Sequence, residues 1–185
     1  MIDAAVAAIR DGQVIGFPTD TVYGLGADPL NDDAVARLFE MKGRPDHKPV
    51  GVLVASIEQA VLLGEIEGHA LELATQHWPG PLTLVVAPLV ILADWVGDAQ
   101  RRTVGLRVPD HPLALRLLEE TGPLAVTSAN VSDGKETVDA EEAKDIFGND
   151  VAEYLPGFSP GGEPSTVVDA SGARLSVLRA GPIDI

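Results

Sequence analysis

The chain has 185 residues, enough for one domain with its own core. Hydrophobic residues make up 45% but aromatics only 4%, so the core must be aliphatic, and the absence of cysteine excludes disulfides, thiolate metal sites and a cysteine nucleophile. A net charge of -15 argues against a general phosphate-backbone binder.

No signal peptide is legible: the first apolar stretch, Ile2 to Ile9, is short, contains Asp3 and follows no basic run. The longest apolar run, Leu82 to Leu92, is about half of what a membrane span needs, and Pro88 interrupts it. These features read as a soluble cytoplasmic protein without membrane attachment. The few cations are unevenly placed. Lys42, Arg44 and Lys48 form one short cluster, and Arg101, Arg102 and Arg107 another, whereas Pro49 to Gln100 holds no Lys or Arg. Two solvated loops would explain this, and so would an anion site.

In chain order, Asp3 to Arg10 reads as a helix closed by Asp11-Gly12, and Gln13 to Phe17 as a strand stopped by Pro18. A Gly- and Thr-rich loop from Thr19 to Pro29 follows, with a short strand at Val22 to Leu25. Asn31 or Asp32 caps a helix that places Val35, Leu38 and Phe39 on one face and ends at Gly43. Val50 to Ala55 reads as a buried strand, Ser56 caps a helix to Leu63, and another helix spans Gly68 to His77. Pro79-Gly80-Pro81 is a stiff turn into a strand, Leu82 to Ala87. Thr103 to Val108 is a strand, His111 to Thr121 a helix, and Leu124 to Thr127 a strand running into a loop to Val138. Asp139 to Phe147 is helical, Pro156 to Pro164 a Gly/Pro loop, and Thr166 to Asp169 and Leu175 to Leu178 are strands. The alternation predicts one α/β domain over residues 1–185, with a twisted mixed sheet flanked by helices.

Several segments could carry chemistry. Pro18 to Gly26 sets Thr19, Asp20 and Thr21 directly after a strand, which suits a polar ligand or a self-capping turn. Lys42-Gly43-Arg44-Pro45 holds two cations on a stiffened loop, able to clamp a triphosphate or carboxylate. Lys42 alone would also complement a helix C-terminus. Ser128 and Asn130 follow a strand, where α/β sheets gather ligands, and could equally form a local turn. Arg107 stands inside an apolar strand and needs a protein carboxylate or a ligand anion as partner. No G-x-x-x-x-G-K-[ST] occurs, Gly24-Leu25-Gly26 lacks the third glycine of a dinucleotide fingerprint, and the four histidines show no metal spacing.

In order, Pro18–Gly26, Lys42–Pro49, Pro79–Thr83, Gly105–Pro109, Thr127–Asn130, Ser165–Asp169 and Leu178–Gly181 resemble the motifs of the YrdC/TsaC family, the threonylcarbamoyl-AMP synthases. The resemblance runs from about Val6 to Pro182, and matches the short form without a C-terminal extension. It implies a YrdC-like fold with a concave ligand site, and a nucleotidyltransferase. That enzyme makes L-threonylcarbamoyl-adenylate and pyrophosphate from L-threonine, bicarbonate or CO2, and ATP. The product serves threonylcarbamoyladenosine modification beside the anticodon of tRNA, through downstream transfer proteins.

The family's signature falls on Lys42, Arg44, Ser128 and Asn130, its ATP contacts on Arg44, Lys48, Thr103, Ser128, Thr137 and Arg179, and its threonine contacts on Thr21, Arg107, Ser165 and the backbone of Val126. Mg2+ would arrive on the ATP phosphates rather than through protein side chains. Lys42, Arg44 and Mg2+ would stabilise developing phosphate charge, and Arg107 would hold the threonine carboxylate. The chain departs from the family at Asp20, where Glu is common, at Lys48, where some relatives have Asn, and at Leu53, which replaces a histidine. The loop Ser132 to Thr137 lacks the usual proline and serine, and Thr137 rather than Glu136 is the expected ATP contact there. Two alternatives are a paralogue activating another small acid and an RNA-binding module. The acidic charge and the lack of interleaved aromatics disfavour direct tRNA binding.

Overall fold

The computed structural model describes residues 2–43, 49–131 and 134–185. Its elements alternate as the sequence predicts. They are α1 (Ile2–Arg10), β1 (Ile15–Phe17), β2 (Gly24–Ala27), α2 (Asp32–Lys42), β3 (Gly51–Leu53), α3 (Ile57–Ala60), α4 (His69–His77) and β4 (Leu82–Val86). Then follow β5 (Val104–Arg107), α5 (Pro112–Thr121), β6 (Leu124–Ser128), α6 (Ala140–Phe147), β7 (Glu153–Tyr154), β8 (Thr166–Asp169) and β9 (Ser176–Arg179). Among the described residues no helix is long and apolar enough to cross a membrane.

Helix ends follow local chemistry. The side chains of Asn31, Ser56 and Asp139 accept from the backbone N–H groups of Ala34, Gln59 and Glu142, which satisfies donors that a first turn leaves orphaned. Gly43 closes α2 in the left-handed conformation (φ 57°), where a side chain would be strained.

Among the described residues nine strands form one mixed sheet in the order β7-β1-β2-β6-β3-β5-β4-β8-β9. Parallel pairs (β1/β7, β3/β5, β4/β8) are interspersed with antiparallel ones (β1/β2, β2/β6, β3/β6, β4/β5, β8/β9). Alternation along the strands sends Leu25, Val52, Leu84, Leu106 and Val168 into the larger core, together with Val35, Leu38 and Phe39 of α2 and Ala70 and Ala74 of α4. Ile15, Phe17, Leu53 and Leu124 form a smaller core with α1 and α5. That second layer serves the sheet around β1, β6 and β3; the same side of β4, β5 and β8 lines a cavity instead.

Candidate functional site

The cavity encloses about 450 Å3. Its floor includes Gly24, Gly51 and Gly105, on β2, β3 and β5. A Cβ built on Gly105 would stand 3.1 Å from Thr83 Cγ2, and one on Gly51 3.3 Å from the Gly105 carbonyl oxygen. Larger side chains here would fill space that a ligand could use.

Arg107 ends β5, with Val104 and Leu106 pointing to the core and Arg107 to the cavity side. Its Nε donates to the Gly80 carbonyl at 3.1 Å, its Nη1 to Thr21 Oγ1 at 3.2 Å, and its Nη2 to Asp20 Oδ1 in a buried ion pair. The partner that its burial demanded is therefore a protein carboxylate, Asp20. Burial pulls the guanidinium below its ordinary range, and the Asp20 charge pushes it back. A guanidinium has five N–H donors, and three are engaged within the chain, which leaves two for a ligand carboxylate. The other Asp20 oxygen, Oδ2, is buried without a hydrogen-bond partner.

The loop after β1 is tied from several sides. Thr19 N donates to Ser159 Oγ at 3.0 Å, Thr21 N to Thr19 Oγ1 at 3.2 Å, and Gly161 N to the Thr21 carbonyl at 2.8 Å. Across the cavity, Ser165 Oγ and Thr83 Oγ1 lie 2.8 Å apart. Arg179 on β9 donates to the Ser165 carbonyl from Nε (3.1 Å) and Nη2 (2.8 Å), and to Ser165 Oγ at 3.1 Å. Burial lowers the Arg179 pKa and nearby Glu136 raises it. Thr103, Val126 and Ser128 also lie on the wall.

Lys42, Ser128 and Asn130 come together, but Lys42 and Asn130 are not on the cavity wall. At 1% exposure, the Lys42 ammonium donates to the carbonyls of Ser128 and Asn130 (the latter at 2.7 Å) and to Asn130 Oδ1 at 3.0 Å. Asn130 Oδ1 also accepts from Ser128 Oγ at 2.6 Å, and Asn130 Nδ2 donates to the Gly134 carbonyl at 2.6 Å. These contacts fix the loop after β6. Thr137 is buried with its hydroxyl donated to the Ala129 carbonyl at 2.7 Å, while its neighbour Glu136 faces the cavity. Arg44 and Lys48 lie outside the described residues.

Among the described residues no three His, Asp or Glu side chains cluster as a metal site. Among the described residues the wall carries two carboxylates, Asp98 and Glu136. Mg2+ retains waters and takes one or two carboxylates plus substrate phosphates, so this donor set suits an ion carried in by a nucleotide. Three features had no assigned role in the sequence: Asp20 as the Arg107 partner, Thr83 beside Ser165, and Glu136 on the wall. Only Asp20 had a sequence signal, since an arginine in an apolar strand requires a buried acceptor.

A mixed α/β sheet with a cavity on one face, lined by a buried arginine and by threonine and serine hydroxyls, defines an α/β domain with a polar cavity of ligand size. The Sua5/YciO/YrdC family model, described as "Telomere recombination", matches residues 7–181, and the chain belongs to that family. A Mycobacterium tuberculosis relative is 48% identical over 184 residues, 98% of this chain and 84% of its own. The threonylcarbamoyl-AMP synthase of Vibrio vulnificus is 36% identical, covering 97% of this chain and 98% of its own. That of Pyrococcus abyssi is 40% identical over all of this chain, which spans only 55% of that protein. Among solved structures, P. abyssi Sua5 complexed with L-threonine superposes with a TM-score of 0.90 at 38% identity, over 97% of this chain and 54% of that one. E. coli YciO gives 0.89 at 29% identity, over 99% of this chain and 90% of that one.

Proposed function

We propose that the chain is an L-threonylcarbamoyladenylate synthase, a nucleotidyltransferase that converts L-threonine, bicarbonate or CO2, and ATP to threonylcarbamoyl-adenylate and pyrophosphate. The observation that carries this is Arg107. It is fixed by Gly80, Thr21 and Asp20 with two donors to spare, in a cavity also lined by Thr21 and Ser165 and large enough for an amino acid and a nucleotide. Relatives named threonylcarbamoyl-AMP synthase, and a structural neighbour that holds L-threonine, support the same substrate. The product would serve threonylcarbamoyladenosine formation in tRNA, through separate transfer proteins.

The threonine amine adds to CO2 and gives a carbamate. A carbamate oxygen attacks the α-phosphorus of ATP, and the bond to pyrophosphate breaks. Arg107 holds the threonine carboxylate, while Thr21, Ser165 and the Val126 backbone set the position of the rest of the amino acid. Thr103, Ser128 and Arg179, with Arg44 and Lys48, are the proposed ATP contacts; Thr137, expected among them from the sequence, is buried with its hydroxyl given to Ala129, and of the pair only Glu136 lines the cavity. Lys42 and Asn130 act on Ser128 by holding its loop, which organises the nucleotide side of the site. Mg2+ bound to the phosphates would withdraw charge from the leaving pyrophosphate. Positioning and charge neutralisation carry the rate.

The test is mass spectrometry of products after incubation with ATP, bicarbonate and threonine, omitting each in turn. The adenylate should form only when all three are present, and its absence from the complete mixture would refute the assignment. The likeness to YciO favours one alternative, a paralogue that activates another small acid in the same cavity. Pyrophosphate exchange measured across amino acids separates the two.

A further inference from the structure

Within the second cationic cluster the structure gives three arginines three different surroundings. Arg107 is buried against Asp20. Arg102, at φ 56°, borders a separate hollow beside Trp95. Arg101 stands on the wall of the main cavity.

The segment that presents Arg101 is tightly built. Asp98 and Thr103 exchange backbone hydrogen bonds (2.7 and 3.1 Å), and Asp98 Oδ1 accepts from the backbone N–H groups of Gln100 and Arg101, each at 3.0 Å. Gly97 makes this closure possible: at φ 74°, any Cβ would stand 2.4 Å from the Thr103 carbonyl oxygen. The loop is therefore a fixed platform that carries Arg101 and Thr103 on one wall.

The side chain itself is lightly held. Its nearest ionic partner is Asp98, with Nε 3.8 Å from Oδ2, and 66% of the side chain is exposed. The other described cations on the wall are Arg107 and Arg179, and each donates three hydrogen bonds to the protein. Among the described residues two carboxylates, Asp98 and Glu136, line the same wall. A polyphosphate entering here adds several negative charges to a wall where Arg101, beyond its 3.8 Å ion pair with Asp98, is the described cation that donates no side-chain hydrogen bond to the described residues.

We propose that Arg101 is a further nucleotide-binding residue, which reaches the phosphate chain of ATP from the Gly97–Thr103 platform and offsets the charge of Glu136. The proposal rests on the nucleotide-dependent reading of the cavity and adds a contact to it.

The test is calorimetric titration of the full-length chain and its Arg101→Ala and Arg101→Lys variants with adenosine, AMP and ATP, and separately with L-threonine. The Kd for ATP should rise roughly tenfold in Arg101→Ala, with Arg101→Lys in between, since a lysine keeps the charge and loses the fork. Adenosine and threonine should bind within about twofold of the parent, which also reports an intact fold. Unchanged ATP affinity in Arg101→Ala would overturn the proposal and leave the nucleotide reading standing. An equal loss for adenosine and ATP would overturn it as well. Failure of the parent chain to bind ATP while it binds threonine would overturn both.

Discussion

A guanidinium left with 7% exposure must find acceptors or lose the hydration it gave up, and Arg107 finds three of them within the chain. The geometry depends on the planar fork: one edge meets the Gly80 carbonyl, another Thr21, a third Asp20. A lysine would supply charge without that fork. Arg107→Lys should therefore raise the KM for threonine roughly ten- to hundredfold, with a smaller effect on kcat, as measured by pyrophosphate release at varied threonine. Lys42 is placed differently: among the described residues it donates to the Ser128 and Asn130 carbonyls and to Asn130 Oδ1, at the end of β6 and the loop after it. Lys42→Met keeps the aliphatic stem but leaves the Ser128 and Asn130 carbonyls without this donor. It should cost roughly 3 kcal/mol of stability, and lower the rate on the order of 10²- to 10³-fold. Thermal unfolding and steady-state kinetics on one preparation would check both. The sequence shows that both residues matter but not how. Motif order marks Lys42, Ser128 and Asn130, whereas the hydrogen bonds of the ammonium to the Ser128 and Asn130 carbonyls follow from how α2 meets the β6 loop. Likewise Thr137 and Glu136 are neighbours in sequence, and only the fold decides which of them the cavity sees.

At the level of elements, the chain announces its helices more clearly than its strands. Asn31, Ser56 and Asp139 each cap as their side chains predict, because a cap is a contact between residues three apart. Strand ends are set by partners elsewhere. The apolar run from Val50 to Ala55 contributes only Gly51–Leu53 to the sheet, and the run from Val22 to Leu25 shifts to Gly24–Ala27, where β6 provides the pairing. The two-residue β7 has no periodicity to read and exists because β1 lies beside it. The glycines of the central strands carry the functional consequence. Gly105→Val would place a branched side chain on the floor next to Thr83, while Val104 and Leu106 keep the core intact on the other face. Threonine and ATP affinities should both fall by more than about tenfold, with a modest decrease in melting temperature; a melting temperature that collapses instead would place the damage in the sheet.

For the molecule as a whole, the α/β class and the mixed sheet are legible from the alternation of elements, but the strand order is not, since β6 inserts between β2 and β3 through contacts distant in sequence. Stability should respond to alkali in a defined direction. Burial holds the Tyr23 phenol above its ordinary range and pushes Tyr154 up to about 12. In the unfolded chain both phenols ionise near 10.0, so between that pH and about 12 the unfolded state releases protons that the folded state retains. Stability contributed below pH 10 is therefore lost as pH rises through this window. Chemical denaturation at several pH values should show a declining unfolding free energy, and Tyr154→Phe should make the decline shallower.

The strand β9 forms one edge of the sheet, pairs only with β8 across a register irregularity at Val167/Val168, and is exposed along its length, yet it supplies Leu178 and Arg179 to the cavity. Part of the binding wall is thus an edge strand of the sheet. An edge with one neighbour frays more readily than a central strand, and each opening would draw Arg179 away from Ser165. With the nucleotide contact proposed for Arg179, ligand occupancy and edge closure would be coupled, so a bound nucleotide would hold β9 against its neighbour.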